Sequence, residues 1–226
     1  MFPLVHIRID FASVSRFLCK FAYARLYGVA HARPSFFFFL TSYYLHMVLL
    51  LSGPDSYRRN RKLRELVATF QARYAHADIL DVDLEEDPDA WVRAREFILQ
   101  PSLFSSAKML VVRAATAVNE KVWRATLKEH RDDKQFFLIV SERGKLPKPF
   151  AFLAEPPAKS QEFPELEGKS LDVFVAKEAK PRAVAFAPDA KRFFLEYLAA
   201  HPDRSCRAVN ELEKLSLVGF PSPVSV

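Results

Sequence analysis

A chain that hydrolyses a nucleotide needs a place to hold phosphate. The usual solution is Gly-x-x-x-x-Gly-Lys-Ser/Thr between a first strand and a first helix, where backbone amides cradle the phosphate and the lysine reaches its terminal groups. The corresponding position here reads Gly53-Pro54-Asp55-Ser56-Tyr57-Arg58-Arg59. It has no second glycine and no lysine in the right place. Pro54 lacks an amide donor, and Asp55 sets negative charge where phosphate would sit. The third apolar run leads into Arg113-Ala114-Ala115, not into paired carboxylates that could hold magnesium. These residues predict a site that cannot hydrolyse ATP.

Other chemistry finds little support. Cys19 and Cys206 have no Cys-x-x-Cys spacing, and no His pair stands at metal-ligand spacing near carboxylates, so neither a disulfide framework nor a zinc site is expected and a reducing cytoplasm fits. Asp81, Asp83, Glu85, Glu86, Asp87 and Asp89 form an acidic stretch without recurring ligand spacing, which reads as a solubilising connection. Arg58, Arg59, Arg61, Lys62 and Arg64 read as a solvated basic face, because Glu65 is adjacent and no aromatics interleave for base stacking. No cofactor is expected.

The elements that would position these residues alternate regularly from Met47. Val48 to Leu51 reads as a buried strand, and Leu63, Leu66, Val67, Phe70 and Tyr74 give an amphipathic helix over Tyr57 to Tyr74. Ile79 to Val82 is a second strand. Asp87-Pro88 supplies a cap and a first-turn proline for a helix over Trp91 to Leu99. Met109 to Val112 and Phe136 to Val140 are further strands, separated by a helix over Asn119 to His130 with Val122, Trp123 and Leu127 inward. Lys145 to Leu153 reads as a short helix and Gln161 to Phe163 as an edge strand. This alternation predicts an α/β fold, a mostly parallel sheet with helices on both faces. From Glu167 onward only helices appear, over Ser170 to Lys177, Pro188 to His201 and Ser205 to Val218, with Phe193, Phe194, Tyr197 and Leu198 as one stripe and Val209, Leu212 and Leu215 as another.

One stretch stands out between helix and strand: Gln100-Pro101-Ser102-Leu103-Phe104-Ser105-Ser106. Pro101 ends the helix and biases Gln100 toward extended backbone. Leu103 and Phe104 thus fall in a connection, where they either plug a gap in the core or are presented to a partner. Gln-Pro-Ser-Leu-Phe resembles the short peptide by which bacterial proteins dock on the DNA polymerase sliding clamp. Its placement before Lys108-Met-Leu-Val-Val-Arg113 is similar to the clamp-contacting segment of the delta subunit of the bacterial DNA polymerase III clamp loader. Val209-Asn210-Glu211-Leu212-Glu213-Lys214-Leu215 resembles the Asn-Glu-Leu-Glu-Lys-Leu signature of that family's second domain. The resemblance runs from about Val48 to Gly219.

That resemblance implies an AAA+-like domain over 47–164 without a catalytic loop, then a helical lid over 165–226 that stops inside the second domain. The implied activity is binding and opening the clamp (beta) at a replication fork, with no ATPase of its own. Gln100, Ser102, Leu103 and Phe104 would contact the clamp, and Asn210, Glu211, Leu212, Lys214 and Leu215 carry the lid signature. ATP work falls to the neighbouring gamma/tau and delta prime subunits. Their assembly with this chain is in question because the collar domain is missing, and DNA is met through the complex. Two alternatives stay open: a P-loop-like nucleotide-dependent hydrolase, and a membrane-anchored α/β protein.

Composition sets the remaining bounds. Among 226 residues there are 33 Lys and Arg and 27 Asp and Glu. Residues 1–46 hold five of those bases and one of the acids, so the rest carries 28 against 26. The overall charge of +6 is therefore no argument for tight DNA binding. Residues 1–46, with Phe36 to Phe39, read as an extension outside the working protein. The uncharged run from Ser35 to Leu51 is at the lower limit for a membrane span, but Leu49 to Leu51 cannot serve both a bilayer and a sheet.

Overall fold

The apolar runs are continuous because both faces of their sheet are covered, as a parallel sheet requires. A computed structural model describes residues 48–74, 76–101, 107–133, 136–218 and Val224. The chain divides into Met1–Leu45 and His46–Val226, and all described residues belong to the second unit. Five parallel strands, β1 (Val48–Ser52), β2 (Asp78–Asp83), β3 (Lys108–Arg113), β4 (Phe136–Glu142) and β5 (Lys159–Glu162), lie in the order β2-β3-β4-β1-β5.

Alternation along each strand splits the core in two. Val48, Leu50, Leu110, Val112, Leu138 and Val140 face helices α2 (Ala90–Leu99) and α3 (Lys121–His130) and a 3-10 segment, Lys148–Leu153. Trp123, Leu127 and Leu153 close that side with no exposed surface. The opposite face receives helix α1 (Ser56–Arg73), whose Leu63, Leu66 and Phe70 are buried, and the Phe70 ring meets Phe137 edge-on at 4.9 Å. Helices thus cover both faces, as the sequence pattern predicts.

Three more helices follow: α4 (Gly168–Ala179), α5 (Pro188–Ala199) and α6 (Arg204–Val218). Their own core joins Leu171, Phe174, Val175, Phe194, Leu198, Ala208 and Leu212. Val224 adds an isolated bridge to Phe186. Among the described residues no helix is long and apolar enough to cross a membrane.

The differences from expectation are local. Asp87-Pro88 does not cap α2, which starts at Ala90; Asp87 instead pairs with Arg93 at 2.8 Å. Val122 and Phe193, read as inward, are 49% and 64% exposed, because a helix lying on one surface buries a narrower arc than three-four spacing allows. The segment near Lys145 is a 3-10 turn beginning at Lys148.

These burials make a direct prediction. Phe70→Ala is expected to lower unfolding free energy by about 3 to 5 kcal/mol, and Phe193→Ala by less than about 0.5 kcal/mol. Urea midpoints of the two variants check it.

Candidate functional site

In an open parallel sheet, ligands bind beyond the carboxyl ends of the strands, where adjacent strands send their connections to opposite faces. Here that place lies between β1, which leads into α1 on one face, and β4, which leads to the 3-10 segment on the other. A cleft of about 1000 Å³ opens there, walled by Pro54, Arg59, Thr116, Glu142, Asp203 and Arg204 among others.

The chain enters α1 through Gly53, at φ +123°, where a Cβ would stand 2.3 Å from the Phe163 carbonyl oxygen. Only glycine fits that turn. The Gly53 N–H donates to the Glu142 carbonyl at 3.1 Å, and the Gly53 carbonyl accepts from Arg59 Nη1. This loop is tied into the sheet and does not form an open cradle.

The positive end of α1 is occupied by its own N-cap. The Asp55 carboxylate, with no exposed surface, accepts the Arg58 N–H at 2.9 Å and Arg58 Nη1 at 3.2 Å. Ser205 Oγ, from the first turn of α6, donates at 2.6 Å to Oδ2, the oxygen that Arg58 Nη1 also reaches. In the reverse direction, Ser56 Oγ at the start of α1 donates to Asp203, which precedes α6 in left-handed backbone at φ +52°. Two helix N-termini therefore face each other with two carboxylates between them. A helix N-terminus favours an anion, and here the protein supplies both anions itself.

Glu165 completes the arrangement. Its carboxylate accepts the Asp203 and Arg204 N–H groups at 3.0 and 3.3 Å, capping α6 from the connection between sheet and helices. Arg204 Nη1 in turn donates to the Leu166 carbonyl and the Glu167 carboxylate, both at 3.0 Å.

The basic stretch on α1 is expected to be a solvated face; Arg64 is exposed, as expected, and the structure corrects the reading for Arg58, Arg59 and Arg61. Arg58 also donates to the Pro164 carbonyl at 3.1 Å, Arg59 Nε to Ser141 Oγ at 3.0 Å, and Arg61 Nη1 to Glu178 of α4 at 2.6 Å. Lys62 stands 3.6 Å from Glu65. Arg58, Arg59 and Arg61 fasten α1 to the strand ends and to the C-terminal helices. The acidic stretch is likewise engaged: Asp81 pairs with Arg113 at 2.8 Å, and Asp83 accepts the Glu85 N–H at 3.0 Å. Among the described residues no three His, Cys, Asp or Glu are placed to hold a metal.

Glu142 ends β4 at the back of the cleft, and accepts from the Thr116 N–H at 3.1 Å and the Thr116 hydroxyl at 3.0 Å. Burial pushes its carboxyl above the ordinary glutamate value, against the bonds from Thr116 and the field of Arg59. Burial also lowers Arg59, offset by Asp203 and Glu142.

Of the expected docking residues only Gln100 is described, and it lies at the other end of the sheet, where α2 stops ahead of β3. Gln100 is exposed, in extended backbone (φ −74°, ψ 127°), and its N–H donates to the Glu96 carbonyl at 2.9 Å. Lys108 Nζ donates to the Phe97 carbonyl at 2.5 Å and to the Gln100 carbonyl, placing a cation at the negative end of α2. Ala107 is buried. Ser102, Leu103 and Phe104 lie outside the described residues. In α6, Leu212 is buried and Leu215 half-buried, while Lys214 donates to Glu211 at 2.7 Å and Asn210 is exposed. These lid-signature residues do not line the cleft.

The chain matches no protein-family model and no curated protein sequence. Among solved structures it is similar to Thermotoga maritima RuvB, seen in two variants at TM-scores of 0.53 and 0.52 and 14% identity. It is also similar to the Bacillus subtilis DNA clamp loader delta protein, at a TM-score of 0.45 and 19% identity. These alignments cover 78 to 79% of this chain but 56 to 58% of the other chains, so the chain spans a little over half their length. The fold is AAA+-like.

Glu142 yields a pH prediction. Its raised carboxyl holds a proton more tightly in the folded state than in the unfolded chain. Its burial therefore costs stability as pH rises from the ordinary glutamate range through the raised value, and costs nothing below that range. Glu142→Gln keeps an acceptor for Thr116. It is expected to be more stable than the parent at neutral pH, with the advantage gone at about pH 4. Denaturant midpoints at the two pH values check this.

Proposed function

We propose that this chain is a clamp-binding protein of the clamp-loader delta type, which docks on a sliding clamp through Gln100, Ser102, Leu103 and Phe104 and helps to open it. The observation that carries this reading is the Gln-Pro-Ser-Leu-Phe sequence leaving an exposed, extended Gln100. Pro101, the next residue, is exposed too. Leu103 and Phe104 would fill an apolar pocket on the clamp, each contributing on the order of 2 kcal/mol if fully buried, which suits a small hot spot. Gln100 would hydrogen-bond at the pocket's edge and Ser102 would set the turn.

Two further features support it. The fold is AAA+-like, while the position where such a scaffold would meet phosphate holds the Asp55 carboxylate, which disfavours the hydrolase alternative. The lid signature sits on α6, the helix whose first turn bonds to Asp55, so Asn210, Glu211, Leu212, Lys214 and Leu215 extend from that junction. In this reading the chain works in the cytoplasm and needs no cofactor. ATP is used by gamma/tau and delta prime neighbours, and DNA is reached within that assembly. The working unit is 47–164 with the helices of 165–226, and residues 1–46 take no part.

Leu103→Ala with Phe104→Ala is expected to weaken clamp binding at least tenfold, measured by surface plasmon resonance on immobilised clamp, while the unfolding midpoint stays unchanged. An unaltered dissociation constant in a folded double variant would remove the proposal.

A further inference from the structure

Helix α5 buries Ala190, Phe194 and Leu198 against the other C-terminal helices and turns Asp189, Arg192, Phe193, Glu196 and Ala199 outward. Steps of three and four residues put these five on one helix face, about 15 Å long. Phe193 is 64% exposed. Val173 of α4, 59% exposed, follows Asp172, whose ion pair with Lys191 ties α4 to α5. A single exposed apolar side chain is common on protein surfaces. What distinguishes Phe193 is the order of the charges around it.

Along this face the charges run acid, base, acid. Arg192 turns back to Asp189 at 3.5 Å, in a pair whose side chains are 73% and 84% exposed and which therefore contributes little to the fold. Glu196, one turn further on, has no ion pair or side-chain hydrogen bond among the described residues. A base ahead of an acid at four-residue spacing is the weaker order for a pair within one helix, which leaves Glu196 to an outside cation. The pattern is its own complement. When the helix is turned end for end about an axis at the level of residue 194, Arg192 stands opposite Glu196 of the second copy, and Glu196 opposite that copy's Arg192. The two Phe193 rings then meet beside the axis with an offset, as aromatic pairs prefer. Ala199 of one copy faces Asp189 of the other and is too small to hold the helices apart. Such a contact is isologous, each copy using the same patch. One face of a 12-residue helix offers less than the roughly 800 Å² per partner of a standard interface, so the pairing is weak and depends on concentration.

We propose that α5 pairs antiparallel with α5 of a second copy of this chain, through Phe193 and two reciprocal contacts between Arg192 and Glu196. The face is separate from the cleft and from Gln100, and the test contains no clamp. Sedimentation velocity of the full chain is followed from low micromolar to several hundred micromolar, where the parent is expected to pass from monomer to dimer. Phe193→Ala, Arg192→Glu and Glu196→Arg are each expected to raise the dimer Kd at least about tenfold. Arg192→Glu and Glu196→Arg combined in one chain restore the opposite charges and bring Kd back to within about threefold of the parent. Leu217→Ala, at an 80% exposed position near the end of α6, leaves Kd unchanged. A parent that stays monomeric throughout the range would overturn the proposal. So would a Kd unaltered in folded Phe193→Ala, which would put the contact elsewhere, and so would failure of the combined swap to restore pairing, which would mean that the two charges do not face each other. Circular dichroism checks the folding of every variant; should Phe193→Ala not fold, the charge swap decides alone.

Discussion

The carboxylate of Asp55, sealed between two helix N-termini, is the constraint on which the rest of the molecule depends. An anion there is favoured by the α1 dipole and by the Arg58 N–H, and its burial is tolerable because Arg58 and Ser205 satisfy both sides of it. Ser205 belongs to α6, so the cap of the first helix is also a bond to the last. With Ser56 and Asp203 forming the reverse pair and Glu165 capping α6, the C-terminal helices are fixed to the sheet by the chain's own charges. A scaffold of this fold that held its lid through a nucleotide would need that space empty.

The parallel sheet then separates roles by its two ends. Strand carboxyl ends form the cleft, where Gly53, Arg59, Glu142 and Thr116 are bonded to one another and to their neighbours. At the amino ends lie Gln100, where α2 stops, and buried Ala107, where the chain enters β3, with Lys108 bonded back to the Phe97 and Gln100 carbonyls. In the proposed reading, docking through Gln100 at that end leaves the junction between sheet and helices untouched.

Much of this was legible in the residues. Continuous apolar runs such as Met109 to Val112 announce strands covered on both sides, and the failure of Gly53 to Arg59 as a phosphate loop is visible residue by residue. The extended backbone at Gln100 follows from Pro101 alone. The partners of α1's arginines were not legible, because Arg61 finds Glu178 at a separation of 117 residues and Arg58 finds Pro164 at 106. A local window sees only a charged helix face. The same holds for Asp55 and Ser205, 150 residues apart, where sequence shows an unsuitable phosphate loop but not what takes the phosphate's place. The exposure of Phe193 and Val122 shows the opposite limit, since helical periodicity marks an apolar arc but not how wide a neighbour covers it.

The claim that the protein's own carboxylates take the place of phosphate is tested most directly by thermal unfolding of the full chain with and without millimolar magnesium ATP. The account predicts an unchanged midpoint. A ligand at a hundredfold excess over its dissociation constant would add about 2.7 kcal/mol of stability, so a clear rise in midpoint on adding magnesium ATP would contradict it.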